Sequence, residues 1–232
     1  TGASGFVGQA VIRELLSRNV EVLGVCRRKV DANFPLVEVS NYSETPVGDV
    51  LIHLAEDRDL VIVEKKGEVY KAQTLNSLKN LVEKGFSRVV YGSSAQVYGD
   101  KKNYPRDSSE KVLPANIYTQ TKLVCEKLIQ ETGGVSARMS NLYGLGMASN
   151  SVISDIFKQI PKNSPLQVRD SSSVCDFLWV GDAASGLADM ALASCSGIFN
   201  LGSGKGVSIG ELLGQILSLA GQSNRKVHVL EP

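Results

Sequence analysis

The chain has 232 residues, of which 43% are hydrophobic and 21% charged, the proportions of an ordinary folded protein with one sizeable core. A formal net charge of +1 excludes an electrostatic footprint for nucleic acid or an anionic membrane, and no apolar run approaches the roughly 20 residues of a membrane span. Four scattered cysteines (Cys26, Cys125, Cys175, Cys195) and only two histidines argue against a zinc centre or a Ser-His-Asp site; free thiols in a reducing cytoplasm are expected instead.

The chain opens on Thr1-Gly2-Ala3-Ser4-Gly5-Phe6-Val7-Gly8, three glycines spaced three apart. A helical pattern follows at once, with Val7, Val11 and Leu15 on one face. A glycine turn that opens a helix lets backbone N–H groups approach a phosphate at the positive helix end. Gly2 and Gly5 would allow the tight turn, and Gly8 the close packing of helix on sheet. Such a turn normally follows a central strand, so a strand is expected to precede Thr1.

Val20–Cys26 then reads as a strand, Leu36–Val39 as a short second one, and Val50–Ala55 as a continuous apolar strand entered from Asp49. A helix is expected over Glu68–Glu83, with Leu75, Leu78 and Val82 on one face. Arg88–Tyr91 is the next strand, ending at Gly92-Ser93-Ser94. A polar loop from Asp100 to Pro114 leads into a helix over about 115–132, and Val135–Met139 is again a strand. This alternation predicts a doubly wound parallel sheet of the α/β class, with helices on both faces. Beyond Gly144 the pattern changes: helices are expected over Val152–Ile160, Asp182–Ala193 and Ser208–Ala220, and strands over Val174–Val180 and Ile198–Leu201. The expected organisation is a dinucleotide-binding domain over 1–144, completed by about 174–202, with 145–173 and 203–232 forming a small C-terminal substrate lobe. His53, Trp179 and Phe177 read as core residues, and Asp176 and Asp182 as local hydrogen-bonding groups.

Arg27 and Arg28 stand where the second strand ends, the place that meets the adenosine ribose in a dinucleotide fold. Arginine there can fork onto a 2′-phosphate, which favours NADP over NAD; a solvated basic turn is the plainer alternative. Ser94 lies at the carboxyl edge of a strand, where it can cap the turn or hold a substrate oxygen. Tyr118 and Lys122 are four apart on one helix and share a face. A free phenol titrates near 10 and is a poor acid or base at neutral pH. An ammonium one turn away, with an oxidised nicotinamide, favours the phenolate and makes proton transfer feasible.

Five segments occur in one order: the glycine loop, Asp49…His53-Leu54-Ala55, Ser94-Ala95-Gln96-Val97-Tyr98-Gly99, Tyr118-x-x-x-Lys122 and Arg138-Met139-Ser140-Asn141-Leu142-Tyr143-Gly144. Together they resemble the extended short-chain dehydrogenases/reductases, in particular the NAD-dependent epimerase/dehydratase family acting on nucleotide sugars. The resemblance implies a Rossmann-like fold in which Gly2, Ser4, Gly5, Phe6, Val7, Gly8, Arg27, Arg28, Leu54 and Ala55 line the dinucleotide. It implies Ser94, Tyr118 and Lys122 as the catalytic set, with Tyr118 and Lys122 also touching the cofactor. Gln96 and Asn141 would contact substrate. A homodimer is a further implication.

The departures narrow the chemistry. Ala95-Gln96 stands where dehydratases of the family carry Asp-Glu, so water elimination lacks its acid and base. Ser40 stands near a common adenine-binding acid, Thr74 replaces a frequent asparagine, and Cys175 replaces an arginine that often binds the nucleotide diphosphate, with Arg169 as a possible substitute. The expected activity is reduction of a keto group on a nucleotide-linked sugar by NADPH. The alternatives are a nucleotide-sugar epimerase that recycles its hydride on NAD, and a non-catalytic dinucleotide-binding protein.

Overall fold

Residues 1–28, 30–57, 59–99 and 104–230 are described by a computed structural model. Positions 100–103 of the expected loop, and Pro232, lie outside the described residues. In chain order the elements are α1 (Phe6–Ser17), β1 (Gly24–Cys26), β2 (Leu36–Glu38), β3 (Val50–His53), α2 (Leu60–Val82), β4 (Arg88–Ser94), α3 (Ile117–Glu131) and β5 (Val135–Met139). They continue with β6 (Asn141–Tyr143), α4 (Val152–Gln159), β7 (Leu166–Val168), β8 (Val174–Trp179), α5 (Val180–Leu192), β9 (Gly197–Leu201), β10 (Gly206–Ser208), α6 (Ile209–Leu219) and β11 (Val227–Val229).

The chain divides into two compact units, Thr1–Ser140 with Val180–Leu201, and Asn141–Trp179 with Gly202–Pro232. In the first unit β3, β4, β5 and β9 pair in that order, all parallel, and β1 pairs parallel with β2. Residues 1–3 lie between the two sheets and bond to both. The Thr1 backbone donates to the Ile52 carbonyl and accepts from Leu54 N–H, while Ala3 N–H donates to the Val25 carbonyl. This is the position where a doubly wound sheet reverses its strand order and where ligands bind beyond the carboxyl ends.

Strand periodicity decides which helices cover which face. On one face Val90 of β4 and Val135 and Ala137 of β5 pack against Ala10, Val11 and Leu15 of α1 and Ala184, Leu187 and Ala188 of α5. On the other, Val89 and Tyr91 of β4 meet Leu78 and Leu81 of α2 and Cys125 and Ile129 of α3. Residues one apart on β4 therefore serve two separate cores. That is why parallel strands read as unbroken apolar runs.

A charged pair interrupts the second core. Arg138 of β5 donates through Nε and Nη2 to both oxygens of Glu126 on α3, at 3.0 and 2.7 Å, and both side chains are buried. Glu126 also accepts from the hydroxyl of Ser93 on β4. Tyr98 lies between Arg106 and Arg138, its ring centroid 5.0 and 4.9 Å from their guanidinium carbons, and its hydroxyl donates to Asn200 Oδ1 at 2.5 Å. The network ties α3, β4, β5 and the turn after β4 into one block.

Within the second unit β8 pairs with β6 and β10, and β7 with β11, around Ile156, Leu166, Val168, Ile209, Leu213, Ile216 and Leu217. Asp176 accepts from the N–H groups of Ser203 and Gly204 at 2.9 and 2.8 Å, the local role expected of it.

Several sequence expectations are corrected. The ladder covers Gly24–Cys26 only, because β1 finds its register against Leu36–Glu38 and Val20–Leu23 lie before the start of that pairing. Helix α2 begins eight residues earlier than Glu68, because Asp59 caps the N–H groups of Val61 and Ile62 and the helix bends at Gly67 (φ 55°) instead of stopping there. Strand β8 pairs inside the second unit, so residues 174–179 stand with that unit. Trp179 is not core: it is 43% exposed, edge-on to Tyr143 with ring centroids 5.5 Å apart. His53 is a core residue as expected, 2% exposed and stacked on Tyr91, with its pKa pushed down to about 3, chiefly by burial.

Removing one partner of a buried ion pair leaves an uncompensated charge, a loss of about 3–5 kcal/mol. Glu126→Ala is therefore expected to lower the thermal midpoint by about 10 °C for a chain of this size. The double variant Glu126→Leu/Arg138→Met should recover most of it, as read by thermal and urea unfolding.

Candidate active site

The site is built on the first unit, starting from the glycine turn. Gly2 has φ +79°, and a Cβ there would stand 2.8 Å from the Leu54 carbonyl carbon. A Cβ on Gly8 would stand 2.1 Å from the Gly2 carbonyl oxygen. Neither position admits a side chain, so the turn packs directly on the end of β3 and α1 starts hard against it. The N-cap of α1 is Gly5, with no side-chain cap and no acid in the first turn. Ala3 and Gly5 N–H are spent on the Val25 and Gly2 carbonyls, so it is the uncapped first-turn N–H groups of α1 and its positive end that are left for an anion. This donor set fits the diphosphate of a dinucleotide. Ser4, Phe6 and Val7 flank it, and Leu54 and Ala55 follow β3 directly.

Arg27 and Arg28 are both exposed and follow β1 immediately. The Arg27 guanidinium carbon stands 5.3 Å from the ring centroid of Tyr42. The Cys26 thiol donates to the Arg28 carbonyl.

At the other end of the site, α3 is pinned to β4. Asn116 and Thr119 form a reciprocal capping box that fixes where the helix begins, one residue before Tyr118. Tyr118, Lys122 and Glu126 then recur every four residues along one face. Lys122 is 5% exposed, and its ammonium donates to the Gly92 carbonyl at 2.7 Å. It stands 5.6 Å from the ring centroid of half-buried Tyr118 and 4.9 Å from that of Tyr91. Ser94 ends β4, and its hydroxyl oxygen accepts from Gln96 N–H at 3.2 Å, so it caps the short turn Ala95–Tyr98. The structure thus joins the helix bearing Tyr118 and Lys122 to the strand bearing Ser94.

Sequence reasoning missed Glu56. Its carboxylate lies 2.9 Å from the Lys122 ammonium, and its other oxygen accepts from the Tyr91 hydroxyl at 2.5 Å. Burial alone would push Lys122 down, yet Glu56 and Tyr118 outweigh it and hold the ammonium above its usual range. Burial and Glu56 push Tyr91 well above the usual phenol value, and Tyr70 up to about 12. The signal for Glu56 was its place right after Leu54-Ala55 at a strand end.

Of the expected substrate contacts, Gln96 is exposed in the first unit. Asn141 is exposed at the start of β6, and Arg169 is exposed directly after β7, both in the second unit. Among the described residues no cluster of His, Cys, Asp and Glu could hold a metal ion, all four cysteines are free, and no helix is long and apolar enough to cross a membrane.

Residues 1–202 match the model of the NAD dependent epimerase/dehydratase family. The dTDP-4-dehydro-6-deoxyglucose reductase of Escherichia coli is 24% identical over 249 residues, covering 92% of this chain and 78% of its own. A UDP-glucose 4-epimerase of Halalkalibacterium halodurans is 25% identical over 262 residues, covering 92% and 77%. The crystal structure of UDP-glucose 4-epimerase with UDP-glucose from Thermotoga maritima has the same fold, with a TM-score of 0.85 at 17% identity over 100% of this chain and 84% of that one. The glycine turn, the parallel sheet around it and the match over residues 1–202 lead to one assignment: the chain belongs to the NAD-dependent epimerase/dehydratase family.

Proposed function

We propose that the chain is an NADP(H)-dependent reductase of a keto group on a nucleotide-linked sugar. The observation that carries the reading is Lys122, held on the Gly92 carbonyl beside Tyr118, with no acid–base pair in the turn that follows Ser94. That turn reads Ala95-Gln96, so elimination of water lacks the carboxylates it needs, and proton transfer at a carbonyl oxygen is the chemistry left.

The dinucleotide, when bound, supplies the hydride. The uncapped first turn of α1 receives its diphosphate, and Gly2, Gly5 and Gly8 keep side chains out of the way. Arg27 and Arg28 receive a 2′-phosphate. Ser94, whose oxygen accepts from Gln96 N–H, donates its hydroxyl proton to the substrate carbonyl oxygen, and Tyr118 gives that oxygen its proton. Lys122 steadies the charge on Tyr118 and holds the nicotinamide ribose. Gln96, Asn141 and Arg169 contact the substrate, with Asn141 near its diphosphate or sugar.

Nucleotide-sugar epimerisation is the second reading, supported by the likeness to UDP-glucose 4-epimerase. The same three residues would serve it. Reduction predicts loss of NADPH absorbance with 4-keto nucleotide sugars. Tightly retained NAD, with isomer interconversion and no added NADPH, would overturn it in favour of the epimerase.

Two substitutions test the assignments. Tyr118→Phe should lower kcat by about 10²–10⁴-fold while cofactor affinity holds, as read by turnover and by nicotinamide fluorescence titration. Arg27→Ser with Arg28→Ser should weaken NADPH by about tenfold to a hundredfold through the loss of charge-assisted hydrogen bonds, and leave NADH nearly unchanged.

A further inference from the structure

Glu56 is a second charge inside the catalytic group. Its side chain is 7% exposed at the exit of β3, and one oxygen is held by the Tyr91 hydroxyl. The other oxygen stands 2.9 Å from the Lys122 ammonium. Lys122 also donates to the Gly92 carbonyl. A buried ammonium is therefore shared between a carboxylate on one side and the Tyr118 ring on the other.

We propose that Glu56 is a positioning residue that cancels the charge of Lys122, so that Tyr118 enters the reaction as the protonated phenol and the site is set to donate a proton to a carbonyl oxygen. This deepens the reductase reading and rests on Tyr118 being the proton donor in it. In that step the bound cofactor would supply the hydride for the new C–H bond, and the carbonyl pair would move to oxygen. The O–H bond of Tyr118 breaks as its proton passes to that oxygen, and the phenolate regains a proton from water.

The surrounding groups leave the balance to this trio. From β3, His53 is neutral above about pH 3. Beyond it, Asp57 stands 4.0 Å from Lys66 of α2. From β4, Tyr91 stays protonated because burial and Glu56 oppose its ionisation. From α2, Tyr70 is pushed up to about 12, and Lys71 pairs with Glu68. From α3, Cys125 is pushed up to about 12 by burial and then Glu56, and Glu126 is matched by Arg138. With Glu56 present, ionising Tyr118 leaves the trio at net −1; with glutamine in its place, the same ionisation leaves it neutral. A carboxylate paired to the ammonium that faces Tyr118 disfavours the phenolate, by about 1–3 pH units.

The test reads tyrosinate absorbance in the cofactor-free protein, taking the portion lost in Tyr118→Phe as the Tyr118 signal. Glu56→Gln, which keeps the shape and an acceptor for Tyr91, should move its midpoint down by about 1–3 pH units. Glu56→Asp should restore the wild-type midpoint, and Lys122→Met, which leaves Glu56 unneutralised, should move it up. An unchanged or raised midpoint in Glu56→Gln, or an unchanged one in Lys122→Met, overturns the proposal. Turnover of keto sugars is a separate readout. A wild-type enzyme that reduces none of them defeats the reductase reading, and a Tyr118→Phe enzyme that still reduces them defeats Tyr118 as the proton donor; either leaves the titration result to be read by itself.

Discussion

Two cations buried around one helix, Lys122 and Arg138, are the constraint on which the first unit depends. A charge taken out of water is tolerated only beside an opposite one with its remaining donors satisfied. Arg138 meets that condition through both oxygens of Glu126, and Lys122 through Glu56 and the Gly92 carbonyl. Each pairing crosses from one element to another, so satisfying the charges is the same act as docking α3 onto the end of the sheet. A helix held only by Cys125 and Ile129 could slide or rotate slightly at small cost. One held also by two ion pairs and the Ser93 hydroxyl has a single seat.

The glycine turn imposes a steric constraint of the opposite kind. There the requirement is that nothing intervene: Gly8 meets the Gly2 carbonyl and Gly2 meets the Leu54 backbone at distances no side chain could share. The turn and β3 are thereby brought against one another, and Glu56 leaves β3 three residues past His53. The glycine turn and the carboxylate that faces Lys122 are thus two ends of one rigid contact. Flexible loops would not keep such a spacing.

Legibility in the sequence followed the range of the interactions. Parallel strands buried on both faces wrote themselves as apolar runs, so β4 and β5 were readable to within a few residues. Tyr118 and Lys122 were readable because helical spacing is local. Strands β6, β7, β10 and β11 were not, since three residues carry no period and their pairing comes from partners far along the chain. The early start of α2 was hidden because Leu60-Val61-Ile62-Val63 reads as a β-branched run, and the Asp59 cap overrides that preference. Glu56 carried only a faint local signal, its place at a strand end. A lone acid after a strand is usually solvated, and only the fold brings it within 2.9 Å of an ammonium 66 positions on.

Placing Tyr118, Lys122 and Glu126 at successive four-residue steps puts the proposed proton donor and the structural anchors on one rigid rod. In the proposed reaction the step nearest the helix start would hand over the proton; the middle one donates to the Gly92 carbonyl, and the last secures the rod to β4 and β5. Such an arrangement separates what must be constant from what can vary. Gln96 on a short turn, and Asn141 and Arg169 in the second unit, are not part of that rod and can change without disturbing it.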